Sequence, residues 1–434
     1  SKYLFSALCI LLGCAMYGQK NIVSHTSGEG SFGLVTSKKT SKLVLDPSDF
    51  EGVNIAAKNF QKDIERVTGK LPEFISEVKG NGNVIIGTIG RNKMIDSLIQ
   101  HQNIDVSKIQ GKWEAYSIKK IGEDLLIIGS DKRGTIFGIY ELSKQIGVSP
   151  WYWWADVPAK KADELYIDNA GLTSTGPKVQ YRGIFINDEA PALSSWVTEN
   201  YGKFNHEFYE PVFELILRLK GNYMWPAMWG KAFYDDDPEN GVLADKYGIV
   251  MGTSHHEPLM RAQAEWGRYG SGDWNYETNA DTLKSFWRKG IERMGDRESL
   301  VTIGMRGDGD EPMTEGTAIS LLERIVKDQR EIISDVTQKP AEKTPQVWAL
   351  YKEVQDYYDQ GMRVPDDVTL LLADDNWGNI RKLPKLKDST RSGGYGIYYH
   401  FDYVGGPRSY KWINTTQISR VYEQMSLAYA YHAR

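Results

Sequence analysis

From about residue 180 onward the chain repeats one unit: a short apolar or β-branched run, a break rich in acids, glycine or tryptophan, and then a stretch with helical spacing. Runs with the character of buried strands fall at residues 182–187, 222–225, 249–253, 300–305, 346–350, 369–373 and 395–401. Helical patterns follow several of them, at 204–219, 241–247, 282–294 and 417–432. A strand that pairs parallel to its predecessor needs a crossover long enough to hold a helix, so this alternation predicts a parallel sheet covered by helices. It is the rhythm of a (β/α)8 barrel, here spanning residues 179–434. Seven units are present and the eighth strand is missing before Arg434. An unpaired seam would leave open sheet edges, so the barrel is read as incomplete and the natural chain is expected to continue.

The region ahead of the repeat reads differently. Residues 20–168 predict a separate α/β accessory domain. Ala56, Ala57, Phe60, Ile64 and Val67 share one helical face that Gly69 terminates, and Ser130-Asp131 caps a second helix. The acids of this region are scattered, which points to a supporting role. Trp151-Tyr152-Trp153-Trp154 either lines a sugar site or is buried, and burial is the favoured reading. Residues 169–178, rich in Gly, Ser, Thr and Pro, read as a linker.

Residues 1–19 read as a secretory signal peptide: Lys2 precedes an apolar run over residues 4–16 that is too short to span a bilayer. Leu11-Leu12-Gly13-Cys14 also loosely fits a lipoprotein box, which would leave Cys14 lipid-bearing. Cys9 and Cys14 are the only cysteines of the 434 residues, so the mature chain is expected to carry no disulfide. These features predict an exported protein, periplasmic or outer-membrane-associated in a Gram-negative bacterium, without a membrane span. A net charge of −5 and the lack of any basic run exclude nucleic acid as a partner. Thirteen Trp and 25 Tyr hint at carbohydrate, whose C–H faces stack on aromatic rings.

In such barrels chemistry sits at the carboxyl ends of the strands. Those ends here carry Asp188, Glu189, Trp225, His255, His256, Glu257, Arg306, Asp308, Asp310, Glu311, Lys352, Glu353, Asp374, Asp375, Asn376, Tyr398 and His400. Carboxylates from at least four strands converging on one face repel one another, which packing alone rarely favours. Paired carboxylates are what glycoside hydrolysis requires: one protonated to donate to the leaving oxygen, one ionised to activate water or attack. Asp310 is the first choice, because Gly307 and Gly309 let its loop approach a ligand. Glu353 and Asp374 compete for the second place. His255, His256 and Glu257 with Asp188 or Asp310 have metal-ligand chemistry, but adjacent histidines lack the spacing that would put both on one helix face, and no metal is expected.

Five of these stretches, in order, resemble glycoside hydrolase family 115: Arg182-Gly183-Ile184-Phe185-Ile186-Asn187-Asp188-Glu189, Met224-Trp225-Pro226-Ala227-Met228-Trp229, Gly252-Thr253-Ser254-His255-His256-Glu257-Pro258, the loop from Gly304 to Glu311, and Ala373-Asp374-Asp375-Asn376-Trp377-Gly378. The resemblance implies a xylan α-1,2-glucuronidase that removes glucuronic acid or its 4-O-methyl ether from glucuronoxylan. It implies inversion, no cofactor, further C-terminal domains and a homodimer formed through regions absent here. Matched by motif, Asp310 is the leading acid/base residue, with Glu353 and Asp374 as partners. A uronate needs cations, which Arg306, His256, Lys352 and His400 supply at the right strand ends. Tyr398 and Trp225 are expected against the sugar ring, with Asp188, Glu189 and Asn376 completing the binding set. The other readings are an exo-glycosidase acting on another uronide, and a non-catalytic glycan-binding protein.

Overall fold

The computed structural model describes residues 20–313, 318–384, 391–403 and 415–433, so the expected signal peptide, with Cys14, lies outside the described residues. The chain divides into two units, at Gly176 and Pro177.

Among the described residues, the first unit has strands β1 (Val23–Ser24), β2 (Phe32–Val35), β3 (Leu43–Leu45), β4 (Phe74–Ile75), β5 (Val84–Thr88), β6 (Tyr116–Ile121), β7 (Asp124–Gly129), β8 (Leu165–Ile167) and β9 (Leu172–Ser174). Six form a mixed sheet in the order β4-β3-β5-β7-β6-β9, parallel from β4 to β7 and antiparallel at β6. Helix Glu51–Thr68 buries Val53, Ala56, Ala57, Phe60, Ile64 and Val67, and ends where Gly69 turns left-handed at φ 73°. Helix Lys132–Gln145 starts on the side chain of Asp131, which accepts from the Gly134 amide at 2.7 Å. Part of the stretch read as a linker is β9, paired with β6. Trp151 and Trp153 are 44% and 43% exposed, against the burial expected for them.

The second unit carries β10 (Gly183–Phe185), β11 (Tyr223–Trp225), β12 (Val250–Met251), β13 (Val301–Thr302), β14 (Gln346–Leu350), β15 (Thr369–Ala373) and β16 (Tyr395–Tyr398). Among the described residues every pairing between these strands is parallel, and each lies beside the next in sequence: β10-β11-β12 in one arc and β13-β14-β15-β16 in a second. A bridge between Met251 and Ser299 joins the arcs, with the Leu300 amide donating to the Met251 carbonyl at 3.0 Å. Helices fill the crossovers, among them His206–Arg218, Tyr276–Met294 and Ile319–Thr337. All five residues of β14 are buried, as expected of a parallel strand covered on both faces. Among the described residues β10 and β16 are not paired and there is no eighth strand. The described residues therefore give an α/β unit of seven parallel strands, and the pairing by itself does not establish the incomplete (β/α)8-type barrel expected from the repeat. No helix among the described residues is long and apolar enough to cross a membrane.

Gln329, fully buried on helix Ile319–Thr337, locks the exit of β13. Its amide accepts from the Gly304 N–H at 2.7 Å and donates to the Gly304 carbonyl at 2.8 Å. Gly304 has φ 95°, a conformation that needs glycine. Gln329→Ala strands both backbone groups without water. It is expected to cost about 2–4 kcal/mol, read as a lowered urea midpoint at unchanged slope.

Candidate active site

The backbone beyond β13 leads from Gly304 to Arg306, whose side chain is only 2% exposed. A guanidinium so buried needs opposite charge. Its Nε and Nη2 donate to Glu353 Oε1 and Oε2 at 2.8 and 2.7 Å, a two-pronged pairing. Its Nη1 donates to the carbonyl oxygen and Oδ1 of Asp310. One cation thus ties together the carboxylates expected as the catalytic pair. The Trp274 indole N–H holds the Arg306 carbonyl at 2.9 Å and fixes the strand exit.

Asp310 gathers further donors. His255 Nε2 lies 2.9 Å from Oδ1, His256 Nδ1 lies 3.7 Å from the same oxygen, and Lys352 Nζ donates to Oδ2 at 3.4 Å. Burial holds both imidazoles well below their ordinary titration range, and the charge of Arg306 and Lys352 reinforces it. A neutral His255 that donates Nε2–H to Asp310 leaves Nδ1 to accept from the Ser254 hydroxyl, 3.2 Å away. Asp310, Lys352 and Asn376 stand at the ends of successive strands with φ of 68°, 51° and 65°. L-residues rarely adopt this region, and it clusters where side-chain placement matters more than backbone comfort.

Donor atoms of His255, His256 and Asp310 lie within 4.8 Å of one another, a set that could in principle hold a metal. The carboxylate of that set, however, already receives Arg306 and Lys352. Two cations on the one anionic ligand would repel a third, so these residues do not fit a resident metal.

Asp374 is placed differently from Glu353. Its side chain is fully buried, with Oδ1 at 2.6 Å from His400 Nδ1. Its Oδ2 accepts from the amides of Gly378 and His400, at 3.0 and 3.3 Å. With both oxygens engaged, it orients His400 and shapes the turn after β15. Tyr398, 4.7 Å from the His400 ring, and Tyr351, 4.6 Å from the His255 ring, form an aromatic wall between these groups. The Tyr351 hydroxyl reaches Asn376 Oδ1 at 3.4 Å.

At the β10 end, Asp188 accepts from the backbone N–H groups of Met228 and Trp229, at 3.0 and 3.1 Å. Burial raises its carboxyl above the ordinary range. Glu189 accepts from the Trp229 indole at 3.2 Å. Trp225, expected against the sugar, is 3% exposed, donates its indole N–H to the Tyr223 hydroxyl, and backs Tyr398 at 5.4 Å. It supports the wall from behind. Arg306, His256, Lys352, Asp310 and Glu353 are brought together as the sequence suggested, with Asn376, Tyr398 and His400 close by. Tyr351 and Trp229 were not foreseen. The signals for them were the position of Tyr351 just before Lys352 and a second Trp in the motif that ends β11.

Glu257 shares the β12 loop but faces inward, where its Oε1 accepts from the Gln263 amide at 2.8 Å. Burial pushes its carboxyl up to about 8, from an ordinary 4.5. Within that window the folded chain keeps a proton that the unfolded chain has released, so stability from this group falls as pH rises through it. The lowered histidines oppose this only below their ordinary 6.5. Between pH 6.5 and 8 the natural chain is expected to lose on the order of 2 kcal/mol relative to Glu257→Gln. Urea denaturation at the two pH values checks this, and an unchanged difference between the two proteins would contradict it.

Residues 174–434 match the profile of glycosyl hydrolase family 115. Among solved structures, the fold superposes with TM-score 0.84 and 34% identity on BtGH115A, described as a family GH115 4-O-methyl-α-glucuronidase with specificity for decorated arabinogalactans. The match covers 92% of this chain and 54% of that one, so the chain spans about half the length of that protein. Two further structures share the fold at 12% identity. A Flavobacterium johnsoniae chitobiase matches with TM-score 0.54, over 88% of this chain and 58% of its own. A GH138 enzyme targeting pectin rhamnogalacturonan II matches with TM-score 0.53, over 91% of this chain and 46% of its own. No curated protein matches the sequence.

Proposed function

The chain belongs to glycoside hydrolase family 115, and from that membership we propose that it releases glucuronic acid or 4-O-methylglucuronic acid side chains from glucuronoxylan, with inversion. The observation that carries this reading is the single buried guanidinium of Arg306 shared by Asp310 and Glu353 at the ends of neighbouring strands. In an inverting displacement one carboxyl group protonates the glycosidic oxygen while the other removes a proton from the attacking water, across a gap of roughly 6.5–9.5 Å. Asp310 is the leading member of that pair, Glu353 its partner, and Asp374 acts through His400. The substrate carboxylate is taken by Lys352, the exposed cation of the cluster, with His400 and His256 beside it and the charge of buried Arg306 behind. Tyr398 and Tyr351 offer the ring faces, and Asn376 and Asp188 shape the surrounding turns. The seven parallel strands support a (β/α)8-type barrel, and the leading apolar segment supports export to the periplasm or outer membrane.

A second reading concerns the polymer. The arabinogalactan specificity described for BtGH115A favours a uronate on an arabinogalactan in place of xylan. Proton NMR of both polymers during the first minutes of digestion separates the two. Free uronic acid from glucuronoxylan, first seen as the β-anomer, is the expected result. An initial α-anomer would overturn inversion, release from arabinogalactan alone would favour the second polymer, and no release from either would overturn the activity. Asp310→Asn is expected to lower turnover about 10³-fold while leaving the affinity for a uronate-bearing oligosaccharide within a few-fold, by calorimetric titration. A non-catalytic glycan-binding protein would show no turnover to lose.

A further inference from the structure

Trp229 is an oddity at the rim of this site. It is 46% exposed although tightly held. Its backbone N–H donates to the buried Asp188 at 3.1 Å, and its indole N–H donates to Glu189 Oε1 at 3.2 Å. Its ring centroid lies 6.5 Å from that of His256, inclined by 32°, and His256 Nδ1 is in turn 3.7 Å from Asp310. A large indole gains by burial. Here two carboxylates instead pin it with an open surface beside the candidate catalytic group. An aromatic ring held rigid in advance loses little freedom when a sugar face lies on it.

The charges around it divide the site. Arg306 and Lys352 stand on Asp310, whereas Glu189 stands against the indole of Trp229 and Lys231 is tied to the Trp229 carbonyl oxygen at 3.1 Å. A second carboxylate at Trp229 would meet like charge, and a sugar without one would not. Glu189 also has an unused acceptor: Oε2 is buried and meets no donor among the described residues. The last torsion of a glutamate is soft, so a small turn offers this oxygen to a hydroxyl group. We propose that Trp229, tethered by Glu189, is the platform for the neutral sugar that carries the uronate. This subsite rests on the glucuronidase reading above and deepens it. The uronate occupies the cationic half, the neutral main-chain sugar lies on the indole, and the bond that breaks falls between them, beside Asp310.

The test compares two substrates on the full-length enzyme: a xylo-oligosaccharide bearing 4-O-methylglucuronic acid, and α-glucuronyl fluoride, whose single-atom leaving group reaches no neutral-sugar subsite. Trp229→Ala is expected to lower kcat/KM on the oligosaccharide about tenfold more than on the glucuronyl fluoride, mainly through KM. Trp229→Phe, which keeps a ring face, is expected to recover most of that difference. Trp229→Phe also guards against a misfolded alanine variant, because its melting temperature and its ratio of the two substrates are read together. Equal losses on both substrates would place Trp229 in the uronate pocket and overturn the proposal, as would no loss on either. If the unaltered enzyme cleaves neither substrate, the glucuronidase reading itself falls and takes the subsite with it. Cleavage with an unchanged ratio in all variants overturns the subsite alone.

Discussion

A guanidinium taken almost entirely out of water must find its counter-charges inside the protein, and much of the second unit's geometry follows from where Arg306 finds them. Its fork meets Glu353 squarely and its remaining edge meets Asp310. Lysine offers no fork and would leave one partner unmet. The pairing demands that the exits of β13 and β14 stay in register, and two buried contacts enforce this. Gln329 grips Gly304 before the arginine, and Trp274 grips the arginine carbonyl itself. Neither contact touches the open face of the site. Both determine where that face points.

Around this centre, charge and neutrality are kept apart by burial. The two histidines of the β12 loop are neutral because desolvation and nearby cations both disfavour the imidazolium. They act as oriented hydrogen-bonding groups, with Ser254 between them. His400 is steered by a carboxylate whose other oxygen is bound to backbone. The same residue type serves two purposes because the neighbouring strand end differs.

The sequence made much of this legible. The parallel strands carry continuous apolar runs, such as Leu370-Leu371-Leu372, so they and the polar residues that follow them could be located without coordinates. Carboxylates at strand ends are conspicuous for the same reason. Less legible was the division of labour among them. Asp374 and Glu353 look alike as letters, and only the turn that folds the Gly378 amide onto Asp374 separates them. Trp225 and Trp229 lie four residues apart, yet one closes over Tyr223 and the other opens to solvent. Exposure depends on neighbours from distant segments, which no local pattern encodes. The short helix Ala192–Tyr201 was missed because its apolar periodicity is weak and it buries Val197 alone. Barrel closure likewise depends on strands pairing across the whole unit, and periodicity counts strands without joining them.

Strand order has a consequence for how the reactive centre comes into being. Arg306 and Glu353 are 47 residues apart in sequence, and the crossover helix Ile319–Thr337 must be laid down before they can meet. Arg306 and Asp310 share one loop, but until β14 docks beside β13 Glu353 lacks its cation and Asp310 lacks Lys352. Contacts of such sequence separation form late, because the entropy of closing the loop is spent before they stabilise anything. A partly made or partly unfolded chain therefore lacks the full charge cluster. The cluster is completed in one step with the register of two adjacent strands.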